Sequence, residues 1–127
     1  MRKLLTLLVS ILLLSCGLPH KMVETNLYFG QNKLDGGTVS QLEWDAFVRK
    51  YISRTFRDGS TIISATGNWY DTVSKQIIIE PVYLVVAVNR MNPRLSKQID
   101  SLRYWYKTLL HQQSVLRVDK RVKAKLF

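Results

Sequence analysis

The sequence predicts an α+β fold, a ferredoxin-like βαββαβ sandwich with two helices on one face of a four-stranded antiparallel sheet. Three observations carry that prediction. Two segments repeat apolar residues at helical spacing, and each opens with a capping signal. Four segments read as strands, and one of them is apolar on both faces. Their order along the chain is strand, helix, strand, strand, helix, strand.

The first strand is expected over 23–30, "VETNLYFG", which alternates and ends in glycine. Asp35-Gly36-Gly37 then marks a turn. Ser40 can cap a helix and Glu43 can reach back to it, while Val39 and Trp44 stand where a hydrophobic staple needs them. Trp44, Phe47, Val48, Tyr51 and Ile52 continue the period, so this helix is expected over about 41–55. Asp58-Gly59 turns the chain into a strand over 60–70 rich in Thr and Ile, and "DTVS" at 71–74 suits a hairpin turn.

"QIIIEPVYLVVAV" follows, apolar enough for a central strand buried on both faces. Pro81 lacks the donor that such a strand needs, so a bulge is expected beside Glu80-Pro81. Asn92-Pro93 is a cap followed by a first-turn proline, and Leu95, Ile99, Leu102, Tyr106 and Leu109 should line one face of the second helix. The last segment alternates: Leu116, Val118, Val122, Ala124 and Leu126 on one side, Arg117, Asp119, Arg121, Lys123 and Lys125 on the other. One charged face suits a sheet edge, where charge discourages unwanted pairing.

The start of the chain decides location. Met1-Arg2-Lys3 and the apolar run Leu4–Leu14 form a secretion signal, too short to span a bilayer. It ends Leu13-Leu14-Ser15-Cys16, which resembles the lipobox of bacterial lipoprotein signal peptides. The resemblance implies a diacylglycerol on the Cys16 sulfur, cleavage before Cys16 and acylation of the new amino group. Cys16 is the lone cysteine, so an intrachain disulfide is excluded. The expected organisation is a signal peptide over 1–15, a lipidated tether over 16–23 and one domain over 24–127. Several acyl chains anchor a protein to a membrane without spanning it. Gly17 follows, with no aspartate there. In lipoproteins of Gram-negative enteric type, which this signal resembles, that implies the outer rather than the inner membrane and a periplasm-facing domain.

Loss of residues 1–15 removes Arg2 and Lys3 and no acid, leaving 112 of 127 residues and +8 of the +10 net charge. Outside the cytoplasm the abundant polyanions are lipid phosphates and surface glycans. The charge therefore reads either as a face for an anionic envelope ligand or as a merely solvated surface, and no nucleic acid is expected. Arg117, Arg121, Lys123 and Lys125 form the candidate basic face.

"LYFG" (27–30), "DGGTVSQLEWDAF" (35–47), "FRDGSTIISATGNW" (56–69) and "QQSVLRVD" (112–119) resemble a family of small bacterial proteins, often lipoproteins, known only as a domain of unknown function. The resemblance spans about 24–119. The family pattern has proline where this chain has Arg57 and often glycine where it has His111. It supports the domain and implies no reaction.

His20 and His111 are the histidines, so no His/Cys metal cluster is present, and neither a phosphate-cradling glycine loop nor a nucleophile motif occurs; no cofactor is expected. Glu80 interrupts an apolar strand. Either burial makes it a base, or it sits at the bulge and pairs with an arginine such as Arg117. Tyr28, Trp69 and Gln112 could line a pocket with Glu80 and Arg117, or simply pack. Two functions are carried forward: an anchored binding module with a basic surface, and a small enzyme with its pocket around Glu80. The apolar outer face of the sheet predicts a homodimer formed by stacking.

Overall fold

The computed structural model describes residues 21–125. The signal segment, Cys16 and Leu126 lie outside the described residues. β1 (Met22–Gly30) leads through a loop to α1, which runs as Gln41–Phe47, widens into a π turn at Val48–Ile52 and closes as Ser53–Thr55. β2 (Thr61–Asp71) and β3 (Gln76–Arg90) form a hairpin, followed by α2 (Pro93–Leu109) and β4 (Leu116–Arg121). The sheet order is β2-β3-β1-β4 and every pairing is antiparallel, the ferredoxin-like arrangement expected.

Both helix starts form as the residues dictate. Ser40 Oγ accepts from the Glu43 N–H at 3.2 Å and the Glu43 carboxylate accepts from the Ser40 N–H at 2.8 Å. Asn92 Oδ1 accepts from the Leu95 N–H at 2.8 Å, with Pro93 in the first turn. The π turn was not expected: there the Ser53 N–H bonds Val48 O, one residue further back than an α-helix allows.

The core lies between the helices and β1 and β3. Phe29 meets Trp44, Phe47 and Tyr106 edge-on, with the Tyr106 ring closest at 4.7 Å, and Trp44 stacks on Tyr83 at 4.2 Å. Ile99, Leu102 and Tyr106 of α2 are buried as expected, whereas Leu109 is exposed and Leu110 takes the inward place. Among the described residues, every member of the core cluster lies between Leu27 and Val115, all of it within residues 16–127.

No bulge forms at Glu80-Pro81: the register of β3 against β2 runs unbroken from Gln76↔Asp71 to Val86↔Thr61. Pro81 is tolerated for another reason. Its carbonyl accepts from the Gln31 N–H at 3.1 Å, so its nitrogen also faces β1, just past that strand's end. The Gln31 carbonyl, which a donor at position 81 would have served, takes the Val39 N–H at 2.8 Å instead. The proline therefore costs the β2 ladder nothing.

The hairpin turn falls one residue later than expected, at 72–75. Asp71 accepts from the Val73 N–H and the Ser74 hydroxyl, and Lys75 is left-handed at φ 56°. β2 is bare. Neither face of it contributes a buried residue, and Ile62, Ile63, Trp69 and Tyr70 are exposed along it.

β4 is the edge strand, but it ends at Arg121, so Lys123 and Lys125 lie beyond it in irregular chain. Its charged side turns toward the helices, because Arg117 stands opposite the buried Leu27. Leu116 and Val118 therefore lie on the open face of the sheet, and both are exposed.

Candidate functional site

On the open face, side chains alternate upward from β1 at Tyr28 and Gly30, from β3 at Ile78, Glu80 and Val82, and from β2 at Gly67 and Trp69. These positions bound an open groove of about 900 Å³, lined further by Asn32 and Lys33 of the loop after β1 and by Gln112, whose neighbour His111 accepts at its carbonyl from the Leu34 N–H at 2.8 Å. Two glycines make the concavity. A Cβ on Gly30 would stand 2.6 Å from Glu80 Oε1, and one on Gly67 would stand 2.8 Å from a Val82 methyl carbon. Glycine inside a strand marks such close approach, and this is the signal by which sequence reasoning could have placed both in the site.

Glu80 forms the floor of the groove at 9% exposure. Its Oε2 accepts from the Asn32 N–H at 3.0 Å, and among the described residues no cation stands within ion-pair distance of it. Behind it, the buried Tyr106 hydroxyl donates to Gly30 O at 2.8 Å. Burial, and after it the negative charge of Glu80, push the Tyr106 phenol well above its usual pKa. Tyr106 therefore holds the wall as a neutral donor.

Tyr28, Trp69, Glu80 and Gln112 all line this groove. Tyr28 is 37% and Trp69 43% exposed, so both rings present surface to the groove. Gln112 is buried and donates to Leu110 O at 3.0 Å, which fits it to shape the rim.

Arg117 does not join them, and it does not pair with Glu80. Its guanidinium bonds Asp100 at 2.9 Å, Asp119 at 2.9 Å and Ser96 O at 3.2 Å on the helix side of the sheet. Burial raises the Asp100 carboxyl, but hydrogen bonds from Arg117 and then Arg103 outweigh it and hold its pKa below the ordinary value. The candidate basic face thus loses its central member to a structural network. Arg121, Lys123 and Lys125 remain exposed.

Sequence reasoning missed a second concavity, of about 320 Å³, between the end of α1, the end of β3 and the start of α2. Arg54, Arg57, Arg90 and Arg94 line it, with Asp58 and the buried Asn89. These arginines come from three elements, so no single stretch of sequence displays them together. Among the described residues, no group of three or more His, Cys, Asp and Glu is placed to hold a metal ion.

The fold has solved counterparts. A phage SAM lyase in complex with S-methyl-5′-thioadenosine superposes with a TM-score of 0.64 at 12% identity, covering 82% of this chain and 84% of that one. The phage SAM lyase in its apo state gives 0.59 at 13%, covering 87% and 95%. CutA from Synechococcus elongatus gives 0.51 at 8%, covering 81% and 78%. At such identities the likeness is one of fold. No curated protein matches the sequence. Residues 24–126 match the family described as protein of unknown function (DUF3574), and the chain belongs to that family.

Proposed function

We propose that this chain is an envelope lipoprotein, anchored through acyl groups on Cys16, whose domain binds a small ligand in the groove over Glu80. The observation that carries the reading is the Glu80 carboxylate, nine-tenths buried and without a cation among the described residues. A buried, unpaired carboxylate is costly, and a ligand that brings donors to it repays that cost. The exposed rings of Tyr28 and Trp69 on the same groove suit a flat group beside those donors. A nucleoside, with hydroxyls next to a planar base, has this pattern.

S-methyl-5′-thioadenosine, held by a solved protein of this fold, is the first probe. Calorimetric titration of residues 16–127 should register binding, weakened about tenfold or more in Glu80→Gln through loss of a charge-assisted hydrogen bond. Absence of binding to the wild-type chain would remove the nucleoside reading.

A second reading has the same groove as an enzyme pocket with Glu80 accepting a proton, and the likeness to a phage SAM lyase favours trying it. Incubation with S-adenosylmethionine separates the two. Thioether nucleoside released by wild type and not by Glu80→Gln supports catalysis; intact substrate supports binding alone.

The anchor has its own test. Membrane-extracted protein should have the mass of residues 16–127 plus acyl chains, and Cys16→Ala should lose them. An unmodified full-length wild-type chain would refute the lipoprotein reading.

A further inference from the structure

The pocket is lined by four arginines, Arg54, Arg57, Arg90 and Arg94, against one acidic residue, Asp58. None of the four makes an ion pair within 4.0 Å among the described residues, whereas Arg103 and Arg117 are both paired. Like charges gathered on three separate elements repel one another unless an anion joins them. Two further features point to an anion. The seventeen-residue helix α2 begins at the rim, with Asn92 as its cap, and brings its positive dipole end there. Asn89, 5% exposed, also lines the pocket, and its Nδ2 has no hydrogen-bond partner among the described residues.

The pocket also lies at the tether end of the domain. Met22 stands opposite Arg90 in the sheet, and the Met91 N–H bonds Lys21 O at 3.3 Å. Five steps of chain separate Lys21 from Cys16 and span at most about 18 Å. Arg121 stands opposite Val23 at the same end, with Lys123 just beyond. Whatever Cys16 is fixed to is therefore within reach of this pocket.

We propose that the arginine pocket binds phosphate, and that its source is the headgroup of an anionic phospholipid in the membrane holding the anchor. Guanidinium groups grip phosphate oxygens in bidentate fashion, which suits a pocket built from arginine and no lysine. The choice of lipid as the source rests on the Cys16 anchor; the pocket itself does not.

Residues 16–127, made without acylation, are mixed with vesicles of phosphatidylglycerol in phosphatidylcholine and with vesicles of phosphatidylcholine alone. Partitioning onto the anionic vesicles is expected. Arg90→Ala with Arg94→Ala should lower it at least about a hundredfold, more than about tenfold for each charge-assisted hydrogen bond to phosphate, against about fivefold per residue for diffuse attraction to an anionic surface. Both side chains are exposed and unbonded among the described residues, so the fold, checked by circular dichroism, should persist. Lys123→Ala with Lys125→Ala removes the same charge from outside the pocket and should cost markedly less.

Equal losses in the two double variants would overturn the proposal in favour of diffuse attraction. Equal binding to both vesicle types would overturn it outright. Inorganic phosphate that strips the protein from vesicles at matched phosphate concentration would overturn the lipid source. Because this chain is unacylated, failure of the Cys16 reading shows only in the intact mass and cannot be mistaken for failure of the pocket.

Discussion

Replacing Gly30 with alanine would set a methyl carbon 2.6 Å from Glu80 Oε1 and 3.0 Å from both Cδ and Oε2. The carboxylate has to swing away, and with it goes the 3.0 Å bond from the Asn32 N–H. Alanine in place of glycine restricts the unfolded chain and by itself contributes about 0.4–1 kcal/mol of stability where the backbone permits it. Gly30 is not among the left-handed glycines, so its backbone does permit it. Against this stands a hydrogen bond to a charged group, worth about 1.5–3 kcal/mol. The net loss should be about 1–2 kcal/mol, or roughly 1 M in the urea midpoint. The decisive comparison is a double-mutant cycle. With Glu80→Ala already in place the clash disappears, and Gly30→Ala should change sign and stabilise the chain. Urea unfolding of residues 16–127 in all four variants measures this. A loss of the same size in both backgrounds would refute the idea that Gly30 exists to seat the Glu80 carboxylate.

Hydrogen bonds from Lys33 and then from Ser40 lower the Glu43 carboxyl to about 2. A depressed carboxylate contributes stability above its unfolded value of about 4.5 and loses it as pH falls toward 2, so Glu43→Gln should flatten acid unfolding across that window. Failure to change the slope would show that the capping box, not the charge, matters. Arg117→Ala should destabilise the domain by about 1–2 kcal/mol through loss of its bonds to Asp100, Asp119 and Ser96, because Asp100 keeps Arg103 and Asp119 keeps the Thr25 hydroxyl, yet leave ligand binding in the groove unchanged. A weakened groove would place Arg117 in the site after all. The exposed Ile63, Leu116 and Val118 on the open face should join two copies, and Ile63→Lys should abolish the dimer in sedimentation equilibrium. A monomeric wild type would end the stacking proposal.

The order of elements was legible because its signals are local. A capping box, an Asn-Pro start and a change of period from 3.6 to 2 each involve a handful of neighbouring residues, and each formed as read. The π turn was not legible, because Trp44, Phe47, Val48, Tyr51 and Ile52 fit an ordinary helix equally well. The bulge was inferred from Pro81 alone, and the choice turned on which neighbour its nitrogen faces, a matter of tertiary pairing. Glu80 stood out because it interrupts an apolar segment, while Tyr28, Trp69 and Gln112 stood out because they fall in the blocks that resemble the family, and all four line the groove. Alternation in β4 separated charged from apolar positions correctly, but alternation cannot say which side meets the helices. Arg117 was misplaced for that reason, and the arginine pocket was invisible because it is assembled from three elements.

The bare strand β2 has a consequence for its backbone. Since the Pro81 carbonyl faces β1, Thr66 opposite it turns its own N–H away from β3, and so do Ile62, Ser64, Asn68 and Tyr70. The odd-numbered residues from Ile63 to Asp71 give theirs to the ladder. No side-chain layer shields either set. Deuterium uptake along β2 should therefore alternate residue by residue, fast at even positions and slow at odd ones. Any partner that adds a strand at this edge would erase the alternation without disturbing the rest of the sheet, which makes these amides a built-in reporter of edge pairing.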